Sequence, residues 1–280
     1  MDPFVFAVVL VGAACHAGWN TVVKLKLDPL SAISGLAIAA GIASIPLILA
    51  FGLPDPASYP YLAASVALHI LYNATLSEAY RVGDLGQVYP IARGAAPVMT
   101  AIIGASFLGE TLGLHGWLGV LVITAGILLL SLKGGRALDT DNRAVVFALM
   151  TAVTISAYSI ADGLGGRHSG SPHAYTALLF LLDGIAMAIY GGMRMGPRLV
   201  QAMRVNWPTM LFGGVLSIAS YWIAIWAMSV APIGLVAALR ETSVIFGALF
   251  AVLLLKEPIR AARVVAACLV VAGAIFIRLH

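Results

Sequence analysis

Apolar residues fill this chain in long runs broken by short polar stretches, and the length of the runs predicts the elements. A helix that crosses a bilayer needs about 20 mostly apolar residues. Ten such runs follow one another, over roughly residues 3–24, 30–52, 58–81, 85–108, 113–132, 143–164, 172–193, 207–230, 233–255 and 260–279. The expected fold class is an all-α integral membrane protein with ten transmembrane helices and no soluble catalytic domain. The first run lacks a basic leader and a clear cleavage site, so it reads as the first span rather than a signal peptide.

Polar positions inside these runs are more informative than the apolar ones. In hydrocarbon a polar side chain faces the bundle interior or a wet cavity, so rows of them at helical spacing mark a lining face. The first helix offers His16, Trp19 and Asn20, and the third offers Ser65, His69, Tyr72 and Asn73. The sixth gives Thr151, Thr154, Tyr158 and Asp162, and the eighth gives Ser217, Ser220, Tyr221 and Trp222. The fourth and ninth add Tyr89, Arg93, Arg240 and Glu241. From these rows Trp19, Asn20, His69, Tyr72, Asn73, Tyr89, Arg93, Tyr158, Asp162, Tyr221, Trp222 and Arg240 are the expected substrate-binding residues. Any single Ser or Thr is explained as well by helix-to-helix hydrogen bonding, and a Tyr or Trp near a helix end by the headgroup belt. The argument for a cavity rests on rows coinciding across several helices.

The rows belong to a repeat. SFLGETLGLHGWLGVLVITAGILLL, from Ser106, matches VLLLKEPIRAARVVAACLVVAGAIFI, from Val252, with Glu110 on Glu257 and Ala125-Gly126 on Ala272-Gly273. The same offset of 147 residues places Arg93 on Arg240. Two five-helix halves are expected, residues 1–135 and 143–280. Five is odd, so the second half sits upside down relative to the first, the inverted-repeat plan of many secondary transporters.

Arg93 raises a specific difficulty. An arginine at the centre of a span costs about 2.5–3.5 kcal/mol on insertion scales, and Pro90 and Pro97 flank it in the same helix. We expect the prolines to interrupt helix four, with Pro232 and Gly234 marking the matching place in the second half; Pro90, Pro97 and Gly234 are the expected hinge positions. Each arginine either pairs with a carboxylate, for which Glu241, Asp162, Asp183 and Glu78 are candidates, or receives a substrate carboxylate through its planar fork of donors. Glu241 points about 100° from its neighbour Arg240 on an ideal helix, so that pairing requires a distorted turn. Glu110 and Glu257 are expected to accept from the free amides of the helix that follows each.

Composition agrees with a membrane protein: 61% of residues are hydrophobic, 10% charged, and mean hydropathy is +0.99. A pI near 9.2 could indicate nucleic acid, but the basic residues sit in short connections. Lys24, Lys26, Arg81, Lys133, Arg136, Arg143, Arg194, Arg198, Arg204, Lys256, Arg260 and Arg263 all lie after odd-numbered helices, whereas Arg167 and Arg278 lie on the other side. The positive-inside rule then puts both termini in the periplasm of a bacterial inner membrane. Cys15 and Cys268 fall inside helices without metal-ligand spacing and read as buried small hydrophobes. No HExxH or GxSxG pattern occurs, so no enzyme, no metal site and no cofactor is expected, and an intramembrane enzyme is a distant alternative. The expected partners are a small-molecule substrate and the lipid bilayer, with no nucleic acid, and the chain is expected to act as a monomer.

The LGE and LKE segments that lead into an Ala-Gly helix, the Trp19-Asn20 pair and the five-plus-five layout resemble the drug/metabolite transporter superfamily, specifically its EamA-type ten-helix members. Among these the chain is most similar to YddG-type exporters of amino acids. The resemblance spans the chain and implies export of small metabolites, amino acids including aromatic ones, by alternating access. Nucleotide sugars or drugs are the alternative substrates within the superfamily. Its small multidrug members hold a glutamate in helix one; helix one here has no acid, which disfavours cationic drugs. Asp162, His69 and Glu241 are candidates for carrying protons, though a facilitator needs none. Many relatives keep both termini in the cytoplasm, the reverse of what the charges indicate here.

Overall fold

The computed structural model describes residues 1–23, 29–83, 85–130, 142–253 and 261–280. Their helices are α1 (Pro3–Val23), α2 (Pro29–Phe51), α3 (Tyr59–Val82), α4 (Leu85–Phe107), α5 (Gly113–Leu129), α6 (Asn142–His168), α7 (Pro172–Met195), α8 (Pro197–Val230), α9 (Ile233–Arg240), α10 (Ser243–Leu253) and α11 (Ala261–Leu279). Among the described residues eight segments are long and apolar enough to cross a membrane, with α9 and α10 counted as one, and α5 is a shorter apolar helix. The tenth span is α3, whose apolar character is diluted by the polar row His69, Asn73, Glu78 and Arg81. The chain is therefore an all-α membrane protein of two inverted five-helix repeats. Large apolar side chains such as Leu49, Phe107 and Met193 stand on the outside, where a bilayer rather than water would solvate them.

Helices of the first half pack on helices of the second in a symmetric pattern. α2 lies on α7, α4 on α9 and α5 on α11, while α1 lies on α8 and α3 on α6. A two-fold axis in the membrane plane maps the first three pairs onto themselves and exchanges the last two. Glycines let these backbones approach. A Cβ on Gly119 of α5 would come within 2.8 Å of the Gly273 carbonyl of α11, and one on Gly126 within 3.0 Å of the Ala266 carbonyl. The two contacts are copies of each other, because the offset that relates Arg93 to Arg240 also relates Gly119 to Ala266 and Gly126 to Gly273. Lipid supplies no hydrophobic drive between helices, so small residues that allow close packing are what join the halves.

Three expectations need correction. Helix four is not interrupted: α4 runs unbroken through Pro90 and Pro97. Each proline lacks one amide, which leaves the carbonyl four residues earlier, that of Gly86 or Arg93, without its usual donor, but the neighbouring helices hold the rod together. The break lies in the ninth span, where no proline stands. There Glu241, Thr242, Val244 and Ile245 each donate to a carbonyl three residues back, and the Thr242 hydroxyl donates to the Leu239 carbonyl at 2.7 Å, so the helix tightens and changes course between α9 and α10.

The second correction concerns the stretch before the eighth span: the span begins near 207 as expected, but residues from Pro197 are already helical and join it as α8. It is kinked at Asn206 (φ −115°, ψ 18°), just before Pro208, which cannot donate to the Arg204 carbonyl. The third is Cys268, which is exposed on the outside of α11, while Cys15 is half-buried.

Candidate functional site

Halfway along α3, α6 and α8 the helices part around a cavity of about 150 Å³. Its lining comes from both halves: His16 and Trp19 of α1, Leu36 of α2, His69, Tyr72 and Asn73 of α3, Arg93 of α4, Tyr158 of α6, Phe180, Asp183 and Met187 of α7, Ser217, Ser220 and Tyr221 of α8, and Arg240 of α9. It extends toward the end of the bundle where α1 leads to α2, since Trp19 and Ile33 border it. The helical spacing of each polar row is what turns these side chains inward together.

The aromatic members touch one another. The His69 ring stacks on Tyr158 with centroids 4.4 Å apart, and Tyr72 meets Tyr158 edge to face at 5.9 Å. Tyr158 is buried, and Tyr221 approaches it from α8 at 6.3 Å. Asn73 donates to the Met187 sulfur at 3.6 Å, which joins α3 to α7 across the cavity.

The two symmetry-related arginines have different surroundings. Arg93 is bound: its Nε and a terminal nitrogen donate to the two carboxylate oxygens of Glu241 at 3.1 and 2.8 Å, and that nitrogen also lies 3.3 Å from His16 Nε2. Glu241 is the residue at the break of the ninth span, so the distorted turn exists but serves Arg93 rather than its neighbour Arg240. Among the described residues Arg240 has no ion pair, and its buried Nε has no hydrogen-bond partner. Its guanidinium lies 4.8 Å from the centre of the Tyr221 ring, a cation–π contact. A void of about 10 Å³ beside Pro97 is lined by Arg93, Arg240 and Glu241 among others, room for about one water.

Other expected site residues lie at different distances from the cavity. Asp162 is wholly buried behind the wall, where it accepts from the hydroxyls of Tyr175, at 3.0 Å, and Tyr221. Tyr89 lies beside Arg93, its ring 6.0 Å from the guanidinium. Asn20 is turned back on its own helix and donates to the His16 carbonyl at 2.8 Å. Trp222 points toward the other end of the bundle, where its Nε1 donates to His173 Nδ1 at 2.6 Å beside Phe51. Gly234 lies where α9 crosses α4, and a Cβ there would be 2.6 Å from the Ala101 Cα.

Among the lining residues outside the expected binding set are Asp183 and Met187. In the sequence Asp183 reads only as a partner for an arginine, and Met187 carries no polar signal; both lie on α7, which displays no continuous polar row. The general rule that an ionisable residue within a span marks a functional site would have found Asp183.

Away from the cavity, the end that carries the chain termini is stitched shut. Glu110 accepts from the amide of Ile233 with both oxygens, at 3.0 and 2.9 Å, and from Arg167 at 2.6 Å. It thus serves the first turn of α9, not that of α5 as expected; Glu257 lies outside the described residues. Arg167 also donates to the carbonyls of Met228 and Ala231, both at 3.0 Å. Tyr61 stacks on His168, and the Asp55 amide donates to the Ser169 carbonyl at 2.9 Å.

Inverted five-helix halves around a cavity to which both contribute are the architecture of many secondary transporters. The EamA-like transporter family matches residues 4–132 and, a second time, residues 142–279, and the chain belongs to this family, one of transporters and not of enzymes. A protein of Sinorhizobium sp named as an uncharacterized transporter in the cobO 3' region is 49% identical over 53 residues, which is 19% of this chain. The match spans 37% of that relative's length. A crystal structure of another protein superposes with a TM-score of 0.75 at 19% identity, over 99% of this chain and 96% of the other; at that identity it establishes the fold alone. The chain is accordingly a multi-pass membrane protein of a transporter family.

Proposed function

We propose that the protein exports amino acids, aromatic ones included, across the bacterial inner membrane by alternating access between its two halves, residues 1–135 and 143–280. The cavity is the observation that carries this reading. Its volume of about 150 Å³ is below the roughly 300–1,000 Å³ usual for drug-sized ligands, which favours a solute of amino-acid size over a nucleotide sugar. Tyr72, Tyr158, Tyr221 and Trp19 offer faces for an apolar or aromatic side chain. Arg240, without a carboxylate of its own, is the cation available to a substrate carboxylate. The basic connections give the orientation, with both termini in the periplasm, so the stitched end faces the periplasm and the cavity extends toward the cytoplasm.

The test is counterflow in proteoliposomes loaded with unlabelled amino acids. Labelled phenylalanine should accumulate transiently and faster with an amino acid on the far side. If no amino acid moves while sugars or nucleotides do, the substrate assignment fails and the transporter assignment stands.

A further inference from the structure

Asp183 and Arg240 have a property in common that the proposed amino-acid transport does not by itself require. Both line the central cavity, and both bury a polar atom, Asp183 Oδ1 and Arg240 Nε, that has no hydrogen-bond partner among the described residues. They do not pair with each other, although both belong to one cavity. The other charged groups nearby are committed: Arg93 and Glu241 to each other, and Asp162 to the tyrosine hydroxyls of α7 and α8. Buried polar groups in folded proteins are almost always satisfied, so a carboxylate and a guanidinium that line one small space, each with a buried atom left without a partner, call for a partner from outside the chain.

We infer that the two groups form a two-ended receptor for the zwitterionic head of an α-amino acid, with the ammonium on Asp183 and the carboxylate on Arg240. The assignment rests on the amino-acid reading above and adds to it a requirement for both charges. The fit is chemical at each end. An ammonium brings three donors to a carboxylate that accepts and cannot donate. A substrate carboxylate brings acceptors to a guanidinium that lines the cavity and whose buried Nε lacks one, while the Tyr221 ring meets that guanidinium 4.8 Å from its centre. A zwitterion also satisfies both orphans without adding net charge at mid-bilayer depth, where an unbalanced charge is costly. An amine or a carboxylic acid satisfies one and leaves the other bare.

The experiment is competition against labelled phenylalanine counterflow by unlabelled phenylalanine, by N-acetylphenylalanine, which lacks the ammonium, and by phenylalanine amide, which lacks the carboxylate. On the unmutated chain each derivative should compete at least about 30-fold more weakly than phenylalanine. In Asp183→Asn, phenylalanine should lose about tenfold in affinity, some 1.4 kcal/mol, while N-acetylphenylalanine changes by less than about threefold. In Arg240→Gln the insensitive competitor should be phenylalanine amide. Derivatives that compete within threefold of phenylalanine on the unmutated chain would overturn the receptor while leaving amino-acid transport intact, and this arm requires no variant. Equal losses for all three ligands in a variant that remains monodisperse would assign Asp183 and Arg240 a structural role and overturn it too. Absence of phenylalanine counterflow by the unmutated chain, with another solute class moving, removes the amino-acid reading and the receptor with it.

Discussion

Arg93 of α4 and Glu241, at the break between α9 and α10, form a two-contact ion pair of 2.8 and 3.1 Å across the two halves of the molecule, with both side chains almost entirely buried. Removing one partner leaves the other charge buried and bare, which costs about 3–5 kcal/mol, whereas replacing both with apolar residues is often neutral. Glu241→Gln should therefore lower unfolding stability in detergent by that amount, and Arg93→Met with Glu241→Leu should recover most of it. A double variant no more stable than the single ones would mean that the pair does not act as a unit.

Tyr221 has two functions that substitution can separate. Its hydroxyl donates to buried Asp162, and its ring lies under Arg240. Tyr221→Phe removes only the first and should cost about 1–3 kcal/mol of stability for the weakened satisfaction of Asp162, with little change in phenylalanine affinity. Tyr221→Leu removes the ring as well, and should weaken phenylalanine binding by an additional factor of roughly three to ten, the size of a partly desolvated cation–π contact. Calorimetric unfolding and counterflow KM read the two effects independently.

The spans, the repeat and the inward aromatic rows were legible in the sequence because each is a property of spacing along one helix: hydropathy runs of bilayer length, a constant offset, polar residues three and four apart. What was not legible depends on which helices meet. Arg93 and Arg240 occupy equivalent positions, and nothing along the chain says that the single nearby glutamate turns to the first. The break at Glu241 carries no proline or glycine to announce it; it is marked by i−3 hydrogen bonds and by an ion pair whose partner lies in the other half. Pro90 and Pro97 carry the expected local signal for a break, yet α4 packs continuously against α5, α6 and α9. Glu110 is a helix cap, but of α9 in the other half of the molecule and not of α5, which follows it in the chain.

Glu110, Arg167 and the Ile233 amide join the α4–α5 turn, the end of α6 and the start of α9 at the end opposite the cavity's extension. Alternating access requires that end to part. Arg167→Gln removes the cation while Glu110 retains the Ile233 amide, so the halves should stay folded and open more often. A single cysteine at Ser169, buried here, in a chain with Cys15 and Cys268 replaced by alanine, should react with an impermeant maleimide about fivefold faster, the change expected from roughly 1 kcal/mol of bias. An unchanged labelling rate would mean that the clasp does not hold that end closed.

The proposed orientation rests on the basic residues between odd- and even-numbered spans, and is opposite to the arrangement many relatives are expected to have. Alkaline phosphatase fused after His280 should be active in cells, and green fluorescent protein at the same place should be dark. The reverse outcome would turn the stitched end toward the cytoplasm and make the cavity extend toward the periplasm.

Gly234 and Gly192 test whether close packing between the halves, rather than glycine's flexibility, is what the fold needs. Neither has a positive φ. A Cβ at Gly234 would lie 2.6 Å from the Ala101 Cα and 2.9 Å from its Cβ, contacts that only a shift of α9 away from α4 can relieve. At Gly192 nothing lies within 4 Å. Gly234→Ala should thus be an overpacking change costing about 1–3 kcal/mol, and because α9 carries Arg240, the same shift should reduce phenylalanine counterflow. Gly192→Ala should raise stability by about 0.5–1 kcal/mol through helix propensity alone, with transport unchanged. Equal thermal unfolding of the two variants would mean that α9 does not rest on α4 as closely as the Ala101 contact requires.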